Sequence, residues 1–303
     1  MMKVTVLMST YNGHKYIREQ IDSILNQKDV EVQLIIRDDG SKDDTVKILE
    51  EYSARYANVK WYTGKNLGAT YSFLDLVRQA PESPYYAFAD QDDNWKSDKL
   101  IVAVNSLGKL DSSKPLLYYS NLNVVDENLN FIRLSHTESK YQKNKYSCLV
   151  DYVATGCTMV FNSEAKKYIN MKTPQWTTMH DIWVYMICKM FGEVVYDPEP
   201  HINYRIHGDN VIGTYKKKTL SLYLKHFVRI FHTDQNPKLD NVKSFYECYG
   251  EMLGEKDKDK VLEVLNYKNS AKDTLTLLFD KDLKSQNLSR EFRNKILIIL
   301  HTF

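Results

Sequence analysis

The sequence predicts an α/β fold in which a mostly parallel sheet is flanked by helices and followed by a C-terminal helical extension. Up to about residue 112, short apolar runs typical of buried strands alternate with segments whose apolar residues recur at helical spacing. Strands that alternate with helices form parallel sheets whose two faces are covered. From Tyr215 onward helical spacing dominates and glycine is nearly absent, which predicts the extension.

The first half contains four predicted strands, each followed by a polar cluster. These strands are Val4–Met8, Val32–Ile36, Val59–Tyr62 and Pro84–Ala89. Helices are predicted between them because apolar residues recur every three or four positions in the stretches 16–25, 45–49 and 71–77. Asp44 stands where a capping residue belongs, directly before the second of these helices.

The second half mixes strands with helices. Strands are predicted at Leu116–Tyr119, Thr158–Phe161, Val194–Tyr196 and Ile202–Tyr204, and a helix at Asp181–Phe191. Amphipathic helices are expected within 238–251, 260–279 and 291–300, and the charged run 255–260 is expected to be a solvated connection. We therefore expect a domain over residues 1–214, with halves of about 1–112 and 113–214, and a helical region over 215–303.

Composition and charge exclude several classes of protein. Because 41 Lys and Arg face 39 Asp and Glu, and no basic and aromatic stripe spans the predicted sheet, no nucleic-acid partner is expected. The absence of a glycine-rich dinucleotide motif and of a P-loop argues against nicotinamide enzymes and NTPases. The chain has no apolar run of membrane-spanning length, no paired cysteine spacing and no signal-peptide pattern, so we expect a cytoplasmic protein.

Four polar clusters follow the four strands of the first half. They are Ser9–Gly13, Asp38–Ser41, Asn66–Gly68 and Asp90–Asp93. The carboxyl ends of parallel strands meet at one edge of a sheet, where ligands of such folds bind. The clusters are therefore expected to converge on a single crevice.

The acidic cluster Asp90–Asp93 is the main candidate for a metal site. Asp90 and Asp92, two positions apart on a turn, can face the same hard cation, and Mg²⁺ or Mn²⁺ takes its remaining ligands from phosphates and water. Such a cation offsets the charge that develops on a leaving diphosphate. The alternative is a solvated acidic turn without a metal.

Three further residues have two interpretations each. Asp39 can accept the imide N–H of a uracil or thymine base, or it can cap the next helix. Asp181 can take a proton from an acceptor hydroxyl, or it can act as a cap at the start of its helix. His207 can ligate a metal or donate to a phosphate, or it can be a solvated loop histidine.

Taken in chain order, these motifs resemble the inverting nucleotide-sugar glycosyltransferases of family two, which have the GT-A fold. The resemblance covers about residues 3 to 213, and its finer match is to the bacterial rhamnosyltransferase-type branch. The matching motifs are Ser9-Thr10-Tyr11-Asn12, Arg37-Asp38-Asp39-Gly40-Ser41, Lys65-Asn66-Leu67-Gly68, Asp90-Gln91-Asp92-Asp93, Thr155-Gly156-Cys157, His180-Asp181 and Tyr204-Arg205-Ile206-His207. Ser9 stands where the family frequently has proline.

The resemblance implies a role for each matched residue. Asp181 would be the catalytic base, acting as an ionised carboxylate without a large pKa shift. The metal, Mn²⁺ or Mg²⁺, would be held by Asp90 and Asp92, with His207 close by. The residues implied to bind the nucleotide-sugar donor are Thr10, Tyr11, Asn12, Asp39, Asn66, Asp90 and Arg205.

The resemblance also implies a reaction and its setting. A sugar would pass with inversion from dTDP-rhamnose or a UDP-hexose to a hydroxyl of a saccharide acceptor, which is expected to be lipid-linked. The setting would be synthesis of a bacterial cell-surface polysaccharide such as a capsule or O-antigen. Two rival hypotheses are a sugar-phosphate nucleotidyltransferase, whose glycine-rich first loop is missing here, and a non-catalytic carbohydrate-binding protein.

One segment suggests where the protein works. Tyr215–His232 carries five basic residues and no acid, and its apolar residues share one helical face. A basic amphipathic helix can lie on an anionic membrane surface, which would place the protein on the inner face of the cell membrane. The alternative is that this face packs against the catalytic domain or a second copy, and the C-terminal helices are accordingly candidates for homo-oligomer contacts.

Overall fold

The computed structural model describes residues 1–135, 144–207, 236–285 and 287–303. The chain divides into two compact units, the first made of Met1–Glu138, Ala154–Thr173 and Met179–Ile206, the second of Ser139–Val153, Pro174–Thr178 and His207–Phe303. Two internal stretches of the predicted domain over residues 1–214, Ser139–Val153 and Pro174–Thr178, thus belong to the second unit, as does His207. The predicted boundary at residue 214 and the segment Tyr215–His232 lie outside the described residues, so both remain predictions.

One mixed sheet forms the centre of the first unit. Its strands are β1 (Met2–Thr10), β2 (Val30–Asp38), β3 (Val59–Thr63), β4 (Tyr85–Ala89), β5 (Asn94–Trp95), β6 (Leu116–Val125), β7 (Phe131–Leu134), β8 (Val160–Asn162) and β9 (Glu193–Arg205). Their order is β3-β2-β1-β4-β8-β6-β9-β5, with β7 paired to β6. The first four strands are parallel, β6 and β9 are parallel to each other, and the remaining pairs are antiparallel.

The register of the parallel strands fixes the position of the site. Thr10 at the end of β1 lies opposite Asp38 at the end of β2, and Asp38 lies opposite Thr63 at the end of β3. On the other side of β1, Met8 lies opposite Ala89, the last residue of β4. The polar clusters that follow these strands therefore start at one edge of the sheet, as the sequence predicts.

Helices cover the sheet, so its central strands are buried on both faces. The helices of the first unit are α1 (Ile17–Leu25), α2 (Thr45–Arg55), α3 (Gly68–Gln79), α4 (Lys99–Leu107), α5 (Ser163–Met171) and α6 (His180–Phe191). On β1, both Val6 and Leu7 are fully buried although they point to opposite faces. Asp44 occupies the N-cap of α2 without a side-chain bond, and Asp43 instead accepts the Thr45 N–H at 3.0 Å, so the expected cap is shifted by one residue.

The second unit is helical in its described part. Its helices are α7 (Pro237–Tyr249), α8 (Glu255–Asn266), α9 (Ala271–Phe279) and α10 (Leu288–Ile299). One expectation is wrong here, because the charged run 255–260 forms the first turns of α8 and not a connection. The stretch 260–279 is helical as expected and holds the end of α8 and all of α9. The charged residues are compatible with a helix because only Val261 and Val264 of α8 are buried.

One further difference concerns the first unit. The strands predicted at 194–196 and 202–204 form the single strand β9, whose pairing with β6 shifts in register between Asp197 and Pro200. Proline lacks the N–H that a ladder needs, so the shift accommodates it.

Among the described residues no helix combines the length and apolar character that a membrane crossing requires.

Candidate active site

The first and fourth polar clusters are joined by Gln91. Its Oε1 accepts hydrogen bonds from Thr10 Oγ1 at 2.6 Å and from the Tyr11 N–H at 2.9 Å, and its Nε2 donates to the Tyr11 carbonyl at 3.2 Å. A Cβ at Gly13 would lie 2.2 Å from Gln91 Oε1, so a larger residue there would displace the Gln91 amide. Gln91 therefore holds the first loop against the acidic cluster.

The first cluster is also joined to the second. The Asn12 N–H donates to Ser41 Oγ at 2.8 Å, and Asn12 Oδ1 accepts from the Lys42 N–H at 2.8 Å. Asn12 has a φ of 50°, in the left-handed region that asparagine tolerates. Beside it Tyr11 is 45% exposed, which leaves its ring open to a planar ligand.

Asp39 connects the second cluster to the third. Its carboxylate accepts the N–H groups of Leu67 at 3.0 Å and Gly68 at 2.9 Å, and it forms a buried ion pair with Arg37. These bonds fix the turn that carries the exposed Asn66. The expected contact of Asp39 with a nucleobase remains a prediction, while its observed contacts hold the Asn66 turn in place.

Arg37 connects several residues of this region through hydrogen bonds, and its role was not predicted from the sequence. Its guanidinium is buried and donates to Asp75 Oδ2 at 3.0 Å and to the Lys65 carbonyl at 2.9 Å, besides pairing with Asp39. The cost of burying both charges is offset only when their hydrogen bonds are satisfied, as they are here.

The acidic cluster follows β4 and gathers several titratable groups. Potential ligand atoms of Asp90, Asp93 and Cys157 lie within 4.8 Å of one another. The pKa of Asp90 is raised to about 7, chiefly by burial and in addition by the negative charges of Asp92 and Asp181. The negative charges of Asp92 and Asp181 thus repel that of Asp90. A divalent cation stabilises such a group of carboxylates.

A buried lysine lies beneath this cluster. Lys99 Nζ has no hydrogen-bond partner within the described part of the chain and lies 3.4 Å from the centroid of the Trp95 ring. Burial lowers the pKa of Lys99 to about 7, while Cys157, Asp93 and Asp90 act in the opposite direction. In its protonated form Lys99 attracts the carboxylates of Asp90 and Asp93, whose charges interact with it.

The donor atoms present fit a hard divalent cation. Asp90 and Asp92 are half-buried and offer carboxylate oxygens, the ligands that Mg²⁺ and Mn²⁺ prefer, whereas the Cys157 thiol suits softer metals. Asp93 is fully buried and accepts the Arg205 N–H at 3.2 Å, so it supports the loop from within. His207 belongs to the second unit and is half-buried, and its expected metal contact remains a prediction.

Arg205, expected to bind the donor, lies under the acidic loop. It is 2% exposed, and its guanidinium donates to the Asp92 carbonyl at 2.9 Å, to Glu19 Oε2 at 2.7 Å and to the Glu127 carbonyl. Its contact with a donor remains a prediction. The contacts observed indicate that Arg205 positions the acidic loop.

Asp181 is held in one orientation at the start of α6. Its Oδ2 accepts the Gly156 N–H at 3.0 Å, and its Oδ1 accepts the Ile182 N–H at 2.7 Å. Burial nevertheless raises its pKa from the ordinary aspartate value to about 6, so the expectation that the pKa shows no large shift is wrong. The carboxylate remains mostly ionised at neutral pH, as a general base requires.

His180, next to Asp181, has a different environment. Its ring stacks on Phe73 at a centroid distance of 4.0 Å and meets the edge of Phe88 at 4.7 Å. Neither ring nitrogen has a hydrogen-bond partner among the described residues, and burial lowers the pKa of His180 to about 3. His180 is therefore neutral and part of the apolar wall, which leaves the acid–base role to Asp181.

The structure thus brings all but one of the expected site residues into the first unit. The exception is His207. Sequence reasoning missed the supporting residues Gln91, Arg37, Lys99 and Gly156. Gln91, Arg37 and Gly156 lie inside motifs that the sequence displays, whereas Lys99 carries no local signal because its burial depends on the fold.

The fold and the converging loops define the class: a GT-A glycosyltransferase. A family model described as glycosyl transferase family 2 matches residues 5–169, more than half of the chain. The chain therefore belongs to glycosyltransferase family 2, and it is an enzyme of that class rather than a nucleotidyltransferase or a non-catalytic binding protein.

Relatives with curated descriptions agree with this family. A dTDP-rhamnosyl transferase from Shigella flexneri is 32% identical over 224 residues, which are 68% of this chain and 73% of that protein. Chondroitin synthase from Escherichia coli is 31% identical over 142 residues, 47% of this chain and 20% of that protein. This chain therefore spans only a fifth of the longer enzyme.

Solved structures share the fold at low identity. Residues 1–349 of Staphylococcus aureus TarS in complex with UDP-GlcNAc superpose with a TM-score of 0.58 at 15% identity, covering 98% of this chain and 90% of that one. A mannosyltransferase from Pyrobaculum calidifontis in complex with GDP-Man and Mn²⁺ gives a TM-score of 0.51 at 15% identity, covering 99% and 86%. These likenesses concern the fold alone.

Proposed function

We propose that this enzyme transfers a sugar, with inversion, from a nucleotide-diphosphate sugar to a hydroxyl of a saccharide acceptor. The observation that supports it most directly is the meeting of three parts in one unit: the open Tyr11 loop, the acidic cluster and the oriented carboxylate of Asp181. The charge of Asp181 contributes to the raised pKa of Asp90, so the proposed base lies within electrostatic reach of the acidic cluster.

In this mechanism the donor binds along the carboxyl edge of the sheet. The exposed ring of Tyr11 stacks on the nucleobase, while Thr10, Asn12, Asp39 and Asn66 shape or line the nucleoside pocket. Asp90 and Asp92 would hold Mn²⁺ or Mg²⁺, which offsets negative charge on the departing diphosphate. Arg205 positions the acidic loop, and Gln91 holds the Tyr11 loop against it.

Asp181 performs the proton transfer. Its carboxylate takes the proton of the acceptor hydroxyl, whose oxygen forms a new bond to the anomeric carbon from the face opposite the leaving group. The bond between that carbon and the diphosphate oxygen breaks with its electron pair, so nucleoside diphosphate leaves and the configuration inverts. The wall of His180 and Phe73 stays neutral and passes no proton.

We further propose dTDP-rhamnose or a UDP-hexose as donor and synthesis of a bacterial cell-surface polysaccharide as the setting. The rhamnosyl transferase relative supports the first choice of donor. The similarity to the chondroitin synthase and to a Bacillus subtilis glycosyltransferase described for teichuronic acid biosynthesis supports the setting. A lipid-linked acceptor would place the enzyme in the cytoplasm, on the inner face of the cell membrane.

A donor screen tests this proposal. The melting temperature is measured with dTDP-rhamnose, UDP-glucose, UDP-GlcNAc and GDP-mannose, each with Mn²⁺ and with EDTA. A donor at 100 times its Kd stabilises the folded state by about 2.7 kcal/mol, so one donor should raise the melting temperature only with Mn²⁺. Equal shifts with EDTA would contradict metal dependence, and no shift with any donor would contradict nucleotide-sugar binding.

A further inference from the structure

The outer side of helix α10 in the second unit is apolar and exposed. Leu288, Phe292 and Ile299 lie on one face of this helix by their spacing, and they are 80%, 68% and 59% exposed. The residues that α10 buries, Asn294 and Ile298, lie on the other side. This is the reverse of the usual arrangement, in which the apolar stripe of a helix faces the core.

Helix α9 repeats the pattern. Leu275 and Phe279, one turn apart, are 54% and 70% exposed, while Leu277 between them is buried. Thr274 Oγ1 and His301 Nε2 are 3.1 Å apart, which places the start of α9 beside the end of α10. The two outward stripes therefore belong to neighbouring helices. We call Leu275, Phe279, Leu288, Phe292 and Ile299 the outward apolar face.

The charge around this face is positive. Residues 268–303 contain seven Lys and Arg against four Asp and Glu. Among these residues Asp280 is paired with Lys260, Glu291 with Lys295 and Arg290 with Asp151, which leaves five basic residues and two acids outside these pairs. Lys281 and Arg293 are exposed. An apolar face with a cationic margin matches a surface that is apolar below and anionic above.

The same charge argues against self-association through this face. In a two-fold dimer each patch meets its own copy, so the cationic margins would face each other. A monomeric protein seldom leaves two phenylalanines and three aliphatic residues exposed on neighbouring helices without a partner. A partner that is both apolar and negatively charged satisfies both observations.

We propose that the outward apolar face is a contact site for an anionic lipid surface. The Phe279 and Phe292 rings enter the boundary between headgroups and acyl chains, while Lys281 and Arg293 meet lipid phosphates. This inference goes beyond the proposed function, since no step of sugar transfer uses these residues. It also does not depend on the segment Tyr215–His232.

Vesicle co-sedimentation at low salt tests the proposal. The full chain is mixed with vesicles of phosphatidylglycerol and phosphatidylcholine, or of phosphatidylcholine alone. We expect binding to the anionic vesicles that falls about tenfold or more in the double variant Phe279→Ser/Phe292→Ser, because two apolar anchors are lost. Phe131→Ser is the matched control, since Phe131 is 62% exposed on β7 of the first unit, and it should bind as the parent does.

A charge-reversed variant and a mass measurement complete the test. Lys281→Glu/Arg293→Glu should weaken binding to anionic vesicles and leave the melting temperature and donor-induced stabilisation unchanged. Unaltered vesicle binding in both double variants would overturn the proposal, as would failure of the parent chain to bind. A dimeric mass in solution that becomes monomeric in Phe279→Ser/Phe292→Ser would instead assign the face to a second copy.

Discussion

The backbone N–H of Gly156 donates to Oδ2 of Asp181 at 3.0 Å, from a position where no side chain fits. A Cβ on residue 156 would lie 2.8 Å from His180 Nε2, on the ring that packs against Phe73. Gly156, the neutral His180 ring and the Asp181 carboxylate are therefore packed together. This packing fixes the orientation of the proposed base.

Gly156→Ala should therefore impair catalysis while sparing donor binding. The added methyl group displaces either the His180 ring or the Gly156 backbone, and the bond to Asp181 lengthens or breaks. We expect kcat to fall about ten- to a hundredfold, with the KM for the donor nearly unchanged, because loss of orientation affects the transition state. Gly254→Ala is the matched control, since a Cβ at Gly254 meets nothing within 4 Å. An unimpaired Gly156→Ala enzyme would refute the positioning role.

The pH dependence of the rate should follow Asp181. Its pKa is raised to about 6, so the base becomes protonated as the pH falls through that value. At fixed saturating Mn²⁺ we expect kcat to be nearly flat from pH 7 to 8 and to fall about tenfold per unit well below pH 6. The neighbours that face it are Asp90, whose charge interacts with it, and His180, which remains neutral in this range.

The same profile in Gly156→Ala separates Asp181 from other groups. The Gly156 N–H favours the ionised carboxylate, so its loss should move the acid limb to higher pH. A limb that does not move would mean that another group limits the rate, and a limb centred near the ordinary aspartate value would contradict the raised pKa of Asp181.

The alternating half of the fold was predictable because each strand there is a continuous apolar run that ends at a polar turn. The helix α4, by contrast, was not predicted: Leu100–Val104 is as apolar as a strand, and it is helical because it covers the sheet. Pro198 and Pro200 similarly led to the prediction of two strands in place of the single strand β9, since a proline in a strand normally signals its end. In both cases tertiary packing overrode the local pattern.

The site was predictable where chemistry and position coincide. Asp90, Asp92 and Asp181 follow strands or start helices, so their residue types alone indicated a role. Gln91 and Arg37 act through partners that are distant in the chain, such as Thr10 and Asp75, and no local pattern reveals such partners. The pKa of Asp181 was likewise inaccessible, because it depends on burial.

Arg37→Met should be strongly destabilising. The side chains of Arg37 and Asp39 are 3% and 4% exposed, so the substitution leaves a buried carboxylate without its counter-ion. We expect the free energy of unfolding to drop by about 3–5 kcal/mol in urea titrations. Arg18→Met is the control: its pair with Glu51 is 49% and 48% exposed and should be worth less than about 1 kcal/mol. Similar losses in the two variants would contradict the role of Arg37 as a buried connecting residue.

Asp92→Ala should abolish transfer without unfolding the protein. Asp92 is half-buried, and its truncation removes the carboxylate of a proposed metal ligand while leaving the backbone of the loop in place. We expect the Mn²⁺-dependent part of the donor-induced thermal shift to disappear while the melting temperature without ligand changes little. Near-normal turnover in this variant would place the metal elsewhere.

The most direct test of the whole account compares donor binding and turnover in Asp181→Asn. The substitution removes the proton acceptor and almost no volume, while an amide oxygen can still accept the Gly156 N–H. We expect kcat to fall about a hundred- to ten-thousandfold with the donor Kd, measured calorimetrically in the presence of Mn²⁺, unchanged within about twofold. Wild-type turnover, or a loss of donor affinity as large as the loss of rate, would show that Asp181 is not the base.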